Sequence, residues 1–326
     1  MTGILTILLN YNGKRDTLAC LDSLKKAGKR DRDVVVVDNG SSDGSVEAIS
    51  SAFPLLALLE TGQNIGYSAG NNRGIEWGMQ RDFKTFLLLN NDTVVAPDLF
   101  EAFQQALHEH PATGIFGAKI YLQSDPSRLD HFGGNWNSQK GEMDFVGRGV
   151  VDGGKEFEAP FAIDYACGAA LLVRREVFEK IGLLDPRYFL YWEDTDFCFS
   201  ARRAGFGVQI APKAKVWHKV SASTGKQGKP FACYFCCRNH LLWLEKQLPW
   251  GQKVVAYCKV VRDLGQTVPK FCYRTLRARL FPQMKNREGR LRQLLMQKAH
   301  IWGVRDYFLR RFGAGSSALF KNKQTP

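Results

Sequence analysis

Three carboxylates, Glu193, Asp194 and Asp196, fall within the stretch YFLYWEDTDFCFSARRAG at residues 188–205. Aromatic side chains surround them, and Arg202 and Arg203 follow. Crowded carboxylates in apolar surroundings hold their protons, because burial and mutual repulsion both oppose the ionised form. A carboxylate tuned in this way suits a general base that takes a proton from a hydroxyl. The same residues also have a structural use. On a helix Glu193 and Asp196 lie near one another, and some of the three carboxylates can pair with Arg202 or Arg203, or cap the helix through Asp194 or Asp196.

Other polar residues gather at the ends of apolar runs. NNDT (residues 90–93) follows TFLLL, and Asp92 is a hard oxygen ligand. Mg²⁺ commonly binds through one or two carboxylates, with substrate phosphates and water completing the shell. An Asx turn is the alternative. NYNG (residues 10–13) brings Asn10 and Asn12, and DNGSSDGS (residues 38–45) brings Asp38. Asp38 can accept hydrogen bonds from a nucleobase or a ribose, or it can belong to a turn. Asp43 suits the cap of the following helix. NIGYSAGNNRG contains Asn64 and Arg73, and Arg73 can neutralise a phosphate or stand exposed on a helix. His218 in VWHKVSAS is either a packed histidine or a ligand that suits Mn²⁺ better than Mg²⁺. Tyr191 and Trp192 offer ring faces to a sugar.

The elements that position these residues alternate. ILTILL, DVVVVD, LLALLE and TFLLLN read as buried strands, with helices over residues 17–26, 68–80 and 97–107 between and after them. GIFGAKIYL is a further strand. Residues 163–182 read as a strand turning into a helix that Gly182 ends, SARRAG as a helix that Gly205 ends, and VQIAPKAKVWH as one or two strands. Residues 124–160 read as loops and short strands. This order predicts an α/β domain with a mostly parallel central sheet flanked by helices. Ligands of such sheets lie beyond the carboxyl ends of the strands, where Asn10, Asp38 and Asn90–Asp92 should converge. The chain has no G-x-G-x-x-G after a strand and no P-loop, which argues against a dinucleotide oxidoreductase or a P-loop phosphotransferase.

Five segments occur in order at sensible distances: VVVVDNGSSDGS, NIGYSAGNNRGI, LLLNNDTVV, CGAALLVRREVFEKIGLLDPRYFLYWEDTDFCFSARRAG and VWHKVSAS. Together they resemble a family 2 inverting glycosyltransferase of the GT-A fold, in the bacterial branch that includes rhamnosyltransferases of cell-surface polysaccharide assembly. The resemblance spans residues 3–245. It implies that Asp38 contacts the base of a nucleotide sugar. Asp92, in the place of a D-x-D motif, would hold a divalent metal, Mg²⁺ or Mn²⁺, through the diphosphate. Asn90 stands where many relatives carry Asp, which removes one charged contact to that metal. Asn91 would join the donor site, His218 would add a metal or diphosphate contact, and Asp194 would be the base with Glu193 beside it. The chemistry agrees with this division. A single displacement at an anomeric carbon needs one carboxylate for the attacking hydroxyl and a Lewis acid for the leaving diphosphate. A sugar-nucleotide nucleotidyltransferase would need a Gly- and Arg-rich loop with a Lys after the first strand. A non-catalytic binding module would have no need of both Asp92 and Asp194.

The chain carries a net charge of +13, unevenly placed. Residues 251–326 hold 17 Lys and Arg against 3 Asp and Glu, a local balance of +14. Expected domains are a glycosyltransferase domain at 1–245, with a nucleotide-sugar half (1–122) and an acceptor and catalytic half (123–245), then a basic amphipathic helical region at 246–326. CCRNHLLWLEKQLPW reads as an amphipathic helix ending before Pro249. The basic, aromatic segments after it suit an anionic membrane surface, and no nucleic-acid motif accompanies them. No apolar run spans a bilayer, Ile4–Leu9 reads as a strand rather than a signal peptide, and eight scattered cysteines fit a reducing compartment. A zinc site at Cys233, Cys236 and Cys237 would need a second ligand pair, and none has the right spacing. The expected setting is cytoplasmic, peripheral at the inner membrane, with a nucleoside-diphosphate sugar as donor and a glycan or lipid-linked acceptor.

Overall fold

A computed structural model describes residues 3–154, 156–219, 228–280 and 287–320. The end of VWHKVSAS, residues 220–223, lies outside them. The chain divides into two compact units. The first comprises Met1–Asn137, Glu142–Pro186 and Glu193–Val220; the second comprises Ser138–Gly141, Arg187–Trp192 and Ser221–Pro326.

The first unit runs β1 (Ile4–Asn10), α1 (Lys14–Lys26), β2 (Val34–Asp38), α2 (Ser45–Ala52), β3 (Ala57–Glu60), α3 (Tyr67–Met79), β4 (Thr85–Asn90), β5 (Thr93–Val95), α4 (Leu99–Glu109) and β6 (Thr113–Leu122). It continues through β7 (Asp125–His131), β8 (Gly134–Asn137), β9 (Glu142–Phe145), β10 (Phe161–Ala162), β11 (Ala170–Arg174), α5 (Arg175–Ile181), α6 (Glu193–Arg203) and β12 (Gly207–His218). The main sheet has the order β10-β12-β6-β11-β4-β1-β2-β3, with β5 on β12 and β7 on β6. β1, β2, β3 and β4 are mutually parallel, while β11 lies antiparallel between β4 and β6. β6 and β12 thus regain the direction of β1, and the sheet is mostly parallel, as its sequence pattern predicts.

Helices cover both faces of this sheet, so its strands are apolar throughout rather than alternating. Ile4, Leu8, Val34 and Val36 enter one apolar layer, and Leu5, Ile7 and Val35 enter the other. α3 lies against β1 through Gly70, Gly74 and Gly78, where a Cβ would collide with Leu9, Ile7 and Leu5 respectively. The glycines of NIGYSAGNNRGIEWG therefore serve close helix–strand packing, and the substitution Gly74→Ala would force β1 and α3 apart. Gly182 and Gly205 follow α5 and α6 with positive φ, where the chain leaves each helix.

In the second unit α7 (Lys229–Gln247) is followed by α8 (Trp250–Leu280) and α9 (Arg287–Phe308). Leu241, Leu242, Trp243 and Leu244 are consecutive and all buried, so α7 is enclosed around a whole turn. The sequence reading of this segment as an amphipathic helix ending before Pro249 holds for its end, but the helix is a core helix whose apolar residues go all round. Phe189, Phe231, Tyr234, Phe235, Ala299 and Phe320 form its packing cluster. α8 differs: only Ala256 along it is buried. Among the described residues no helix is long and apolar enough to cross a membrane.

Candidate active site

The carboxyl ends of β1, β2 and β4 lie level, with Asn10 opposite Asp38 and Leu9 opposite Asn90. Their polar residues are tied together. Asn10 Nδ2 donates to Asp38 Oδ2 at 2.7 Å, and the Ser41 N–H donates to Asp38 Oδ1 at 2.8 Å. Asn10 Oδ1 accepts from Thr17 Oγ1 at 2.8 Å and Asn91 Nδ2 at 3.2 Å. Asn12, at φ +52°, accepts the Ser42 N–H at 2.7 Å. Asn64 Oδ1 accepts from the Gly66 N–H at 3.0 Å and from Asn39 Nδ2 at 3.2 Å, joining the loop after β3 to the loop after β2. Asp43 accepts the N–H groups of Lys14 and Ser45, which open α1 and α2, and so acts at two helix starts. Arg73 stands on α3 with an exposed side chain 3.6 Å from Glu76.

A second cluster lies where β5 and β12 meet. His218 pairs with Thr93 in register, which sets it beside Asp92. Its Nε2 is 3.2 Å from Asp92 Oδ1, and its Nδ1 is 3.1 Å from Asp130 Oδ2. Asp130 belongs to β7 and was not legible as a site residue: it sits in a loop-like, Asp-rich stretch with no motif around it. Burial alone would lower the His218 pKa, but the two carboxylates prevail and lift it to about 9. The ring is an imidazolium at neutral pH.

This donor set fits a divalent cation. A carboxylate and an imidazole nitrogen face each other, and the far ring nitrogen is backed by a second carboxylate, the usual way a metal-binding histidine is oriented. Asp130 lies on the other side of the ring, so the three groups do not converge. Accordingly, among the described residues no cluster of three or more His, Cys, Asp or Glu is arranged to hold a metal unaided. Substrate and water oxygens would have to complete the shell.

The third cluster surrounds Asp194 in the first turn of α6. The Gly168 N–H donates to its Oδ2 at 2.8 Å and the Thr195 N–H to its Oδ1 at 2.7 Å. Two longer bonds, from Tyr165 Oη and Thr195 Oγ1, are each 3.3 Å. Tyr67 Oη donates to the Gly168 carbonyl at 2.8 Å and secures that turn from α3. Glu193 is buried, and its Oε2 has no hydrogen-bond partner among the described residues. Burial first, and Asp194 second, raise the Glu193 pKa far above the carboxylate range. Burial also raises that of Asp194, although its four hydrogen bonds oppose the rise. Of the pair, Asp194, where donors meet it, is the easier to ionise, and Glu193 the harder. Arg202 pairs with Asp164 instead of the acidic cluster.

The residues just before Glu193 are unusual. Phe189, Tyr191 and Trp192 have φ of +63°, +68° and +74°, a conformation that costs bulky residues about 1–3 kcal/mol each. Within the second unit this strained turn is clamped by α7. Asn239 Nδ2 donates to the carbonyls of Tyr188, Leu190 and Tyr191 at 2.7, 2.8 and 2.8 Å. Arg238, fully buried, donates to the carbonyls of Arg187 and Tyr188 at 3.1 and 2.9 Å. Phe189 stacks on Phe235, and Trp192 stacks on His240. Tyr191 and Trp192 are both half-buried.

Residues 6–182 match the family Glycosyl transferase family 2, more than half of the chain, and the chain belongs to that family. It is 28% identical to N-acetylglucosaminyl-diphospho-decaprenol L-rhamnosyltransferase of Mycobacterium tuberculosis, over 77% of this chain and 89% of that one. It is 22% identical to dTDP-rhamnosyl transferase RfbF of Shigella flexneri, over 75% of this chain and 81% of the relative. Among solved structures it is similar to mannosyltransferase PcManGT from Pyrobaculum calidifontis in complex with GDP-Man and Mn²⁺. The TM-score is 0.54 at 14% identity, covering 94% of this chain and 87% of that one. The fold is that of the GT-A glycosyltransferases.

Proposed function

We propose that this family 2 glycosyltransferase moves a sugar, with inversion, from a nucleoside diphosphate to a hydroxyl of a lipid-linked glycan. The acceptor oxygen forms a bond to the anomeric carbon as the bond from that carbon to the diphosphate breaks. The hydroxyl proton passes to Asp194, and the nucleoside diphosphate leaves. The observation that carries this reading is the setting of Asp194. One short N–H bond to each oxygen fixes the carboxylate, while the two 3.3 Å bonds can yield to an acceptor hydroxyl. Its raised pKa makes it a stronger base than an exposed aspartate.

Asn10, Asn12, Asp38, Asn64 and Asn91 would frame the nucleotide, with Asp38 nearest the base. Arg73, whose partner is Glu76, is the weakest member of this set. Asp92 and His218 would hold Mn²⁺ or Mg²⁺, and Asp130 would keep the His218 ring turned towards it. Such a cation offsets the charge that develops on the leaving diphosphate. Tyr191 and Trp192, next to Glu193 in the chain, are proposed for the acceptor side. The names of the mycobacterial and Shigella relatives support a rhamnosyl donor and, for the former, a lipid diphosphate acceptor. The working place would then be the cytoplasmic face of the inner membrane, in cell-surface polysaccharide assembly such as that of lipopolysaccharide.

The test is a panel of nucleoside-diphosphate sugars incubated with Mn²⁺ or Mg²⁺ and a lipid-linked acceptor, with product configuration read by NMR. One donor should be consumed, giving a product of opposite anomeric configuration. A product that retains configuration would refute the single displacement.

A further inference from the structure

α3 begins at Tyr67, and this residue joins two parts of the site that the chemistry uses separately. On the nucleotide side, Asn39 follows Asp38 at the end of β2 and is almost fully buried. Both polar atoms of its side chain are spent on the loop that leads into α3. Its Oδ1 accepts from the Ile65 N–H at 3.0 Å and from Thr61 Oγ1 at 3.2 Å. Its Nδ2 donates to Asn64 Oδ1 and to the Gly66 carbonyl, both at 3.2 Å. At Gly40, where φ is +75°, a Cβ would stand 2.5 Å from the Gln63 backbone, so the two loops lie in direct contact. The position of Tyr67 is therefore set by the loop that follows Asp38.

On the other side, the Tyr67 hydroxyl reaches the turn before β11. It donates to the Gly168 carbonyl at 2.8 Å, and the Asn90 N–H donates to the next carbonyl, that of Ala169, at 2.9 Å. Both carbonyls of the turn are thus held, one from α3 and one from the end of β4. The N–H of the same Gly168 meets Asp194 Oδ2 at 2.8 Å. Burial first, then the charges of Glu193 and Asp194, push the Tyr67 phenol well above its usual range, so it stays a donor at every working pH.

We propose that Tyr67 is a positioning residue for the base: held by Asn39 from the nucleotide side, it fixes Gly168 and so sets the N–H that orients Asp194. This rests on the reading of Asp194 as the base. It carries a consequence for pH. The Gly168 N–H favours the ionised carboxylate. Without the Tyr67 hydroxyl the turn loosens, that bond lengthens, and Asp194 keeps its proton to higher pH. Around Asp194 stand Glu193 and Cys198 of α6, Tyr165 and Cys167 from the turn before β11, and Tyr67. Burial raises both thiols and both phenols, so at acidic pH they stay neutral and only the two carboxyls titrate.

Steady-state transfer kinetics of Y67F across pH, run beside D194N, test this. Y67F removes one oxygen and keeps the ring. At the pH optimum kcat should fall at least about fivefold while the donor KM stays within about twofold, because a misplaced base slows the chemistry and leaves donor binding alone. The acidic limb of kcat/KM should move up by about 0.5–1 pH unit. In a G168A background, where the base is already displaced, the same substitution should cost less than about twofold, since two changes that act through one contact do not add. An unmoved acidic limb would overturn the proposal, as would a loss confined to the donor KM or an equal loss of kcat in both backgrounds. The D194N variant separates the two claims. D194N at an undiminished rate sinks the reading of Asp194 as base; a crippled D194N beside an unaltered Y67F sinks the role of Tyr67 alone. Should Y67F fail to fold, Y67M, an adaptable apolar side chain with no donor, takes its place in each comparison.

Discussion

At the level of single residues, the site rests on what each carboxylate has beside it. Asp194 has donors on both oxygens, Glu193 has none on Oε2, and Asp92 and Asp130 share one histidine between them. Each arrangement has a measurable consequence. A Cβ at Gly168 would stand 3.2 Å from both Asp194 Oδ2 and Tyr67 Oη, tight enough to displace the base. Gly168→Ala should therefore cut kcat by about 10–100-fold while donor affinity holds, because a small misplacement of a reacting group is costly. The raised pKa of Asp194 should move the acidic limb of kcat/KM above the ordinary aspartate range, with activity lost as the pH falls and Asp194 takes up its proton. Between roughly pH 6.5 and 9 a metal must displace the His218 proton. Apparent Mn²⁺ affinity, measured by titration, should rise about tenfold per pH unit there and level off above about 9. His218→Gln should flatten that rise. For the metal-free fold the sign is opposite. The protonated His218 stabilises the chain below its unfolded pKa near 6.5, and that stability is lost as the pH climbs through about 9. Asp92, His218 and Asp194 were legible in the sequence because each closes a motif at a strand or helix end. Asp130, Tyr165 and Gly168 were not: Asp130 lies in a stretch read as loops and short strands, and Tyr165 and Gly168 lie in one read as strand, whereas the strand begins only at Ala170 and leaves them in the turn before it.

Elements decide how those residues meet. β1, β2 and β4 end level because they are parallel neighbours, and that much follows from the order of strands and helices. The antiparallel entry of β11 between β4 and β6 does not, since an apolar run gives no direction. Nor does the turn at residues 188–192. Phe, Tyr and Trp are not turn residues, and they are held at positive φ by Arg238 and Asn239, nearly fifty positions further on. Asn239→Ala takes a donor from three carbonyls, of which that of Tyr188 keeps Arg238, and should destabilise the second unit by about 2–4 kcal/mol, read by denaturant unfolding. Because that turn leads directly into Glu193 and Asp194, kcat should fall in the same variant at temperatures where it is still folded. Unchanged kcat there would show that the clamp serves folding alone.

On the scale of the whole molecule, the near-neutral first 250 residues and the basic remainder differ in charge. The sequence marks that division by charge alone; what it conceals is that α7 is a core helix and α8 a surface one, because both are rich in apolar residues. Burial separates them: α7 is buried around a whole turn at Leu241–Leu244, whereas α8 leaves its stripe of Val254, Val261 and Val268 in water. Transfer chemistry and the expected contact of this region with an anionic membrane should therefore separate. V261E/V268E should leave kcat/KM on a water-soluble acceptor within about twofold of wild type, while lowering turnover of an acceptor embedded in anionic vesicles at least about tenfold. Equal losses on both acceptors would tie α8 to the chemistry.

The central claim is that Asp194 removes the acceptor proton, and the most direct measurement compares wild type with Asp194→Asn in single-turnover transfer from the cognate nucleotide sugar in the presence of Mn²⁺. The substitution keeps the size but removes the basic lone pair, and its amide nitrogen cannot accept from one of the two backbone N–H groups that meet Asp194. The account predicts a fall in the transfer rate of about 10²–10⁴-fold, the range of general base catalysis, with the donor dissociation constant within about threefold of wild type. A variant that transfers sugar at an undiminished rate would contradict it.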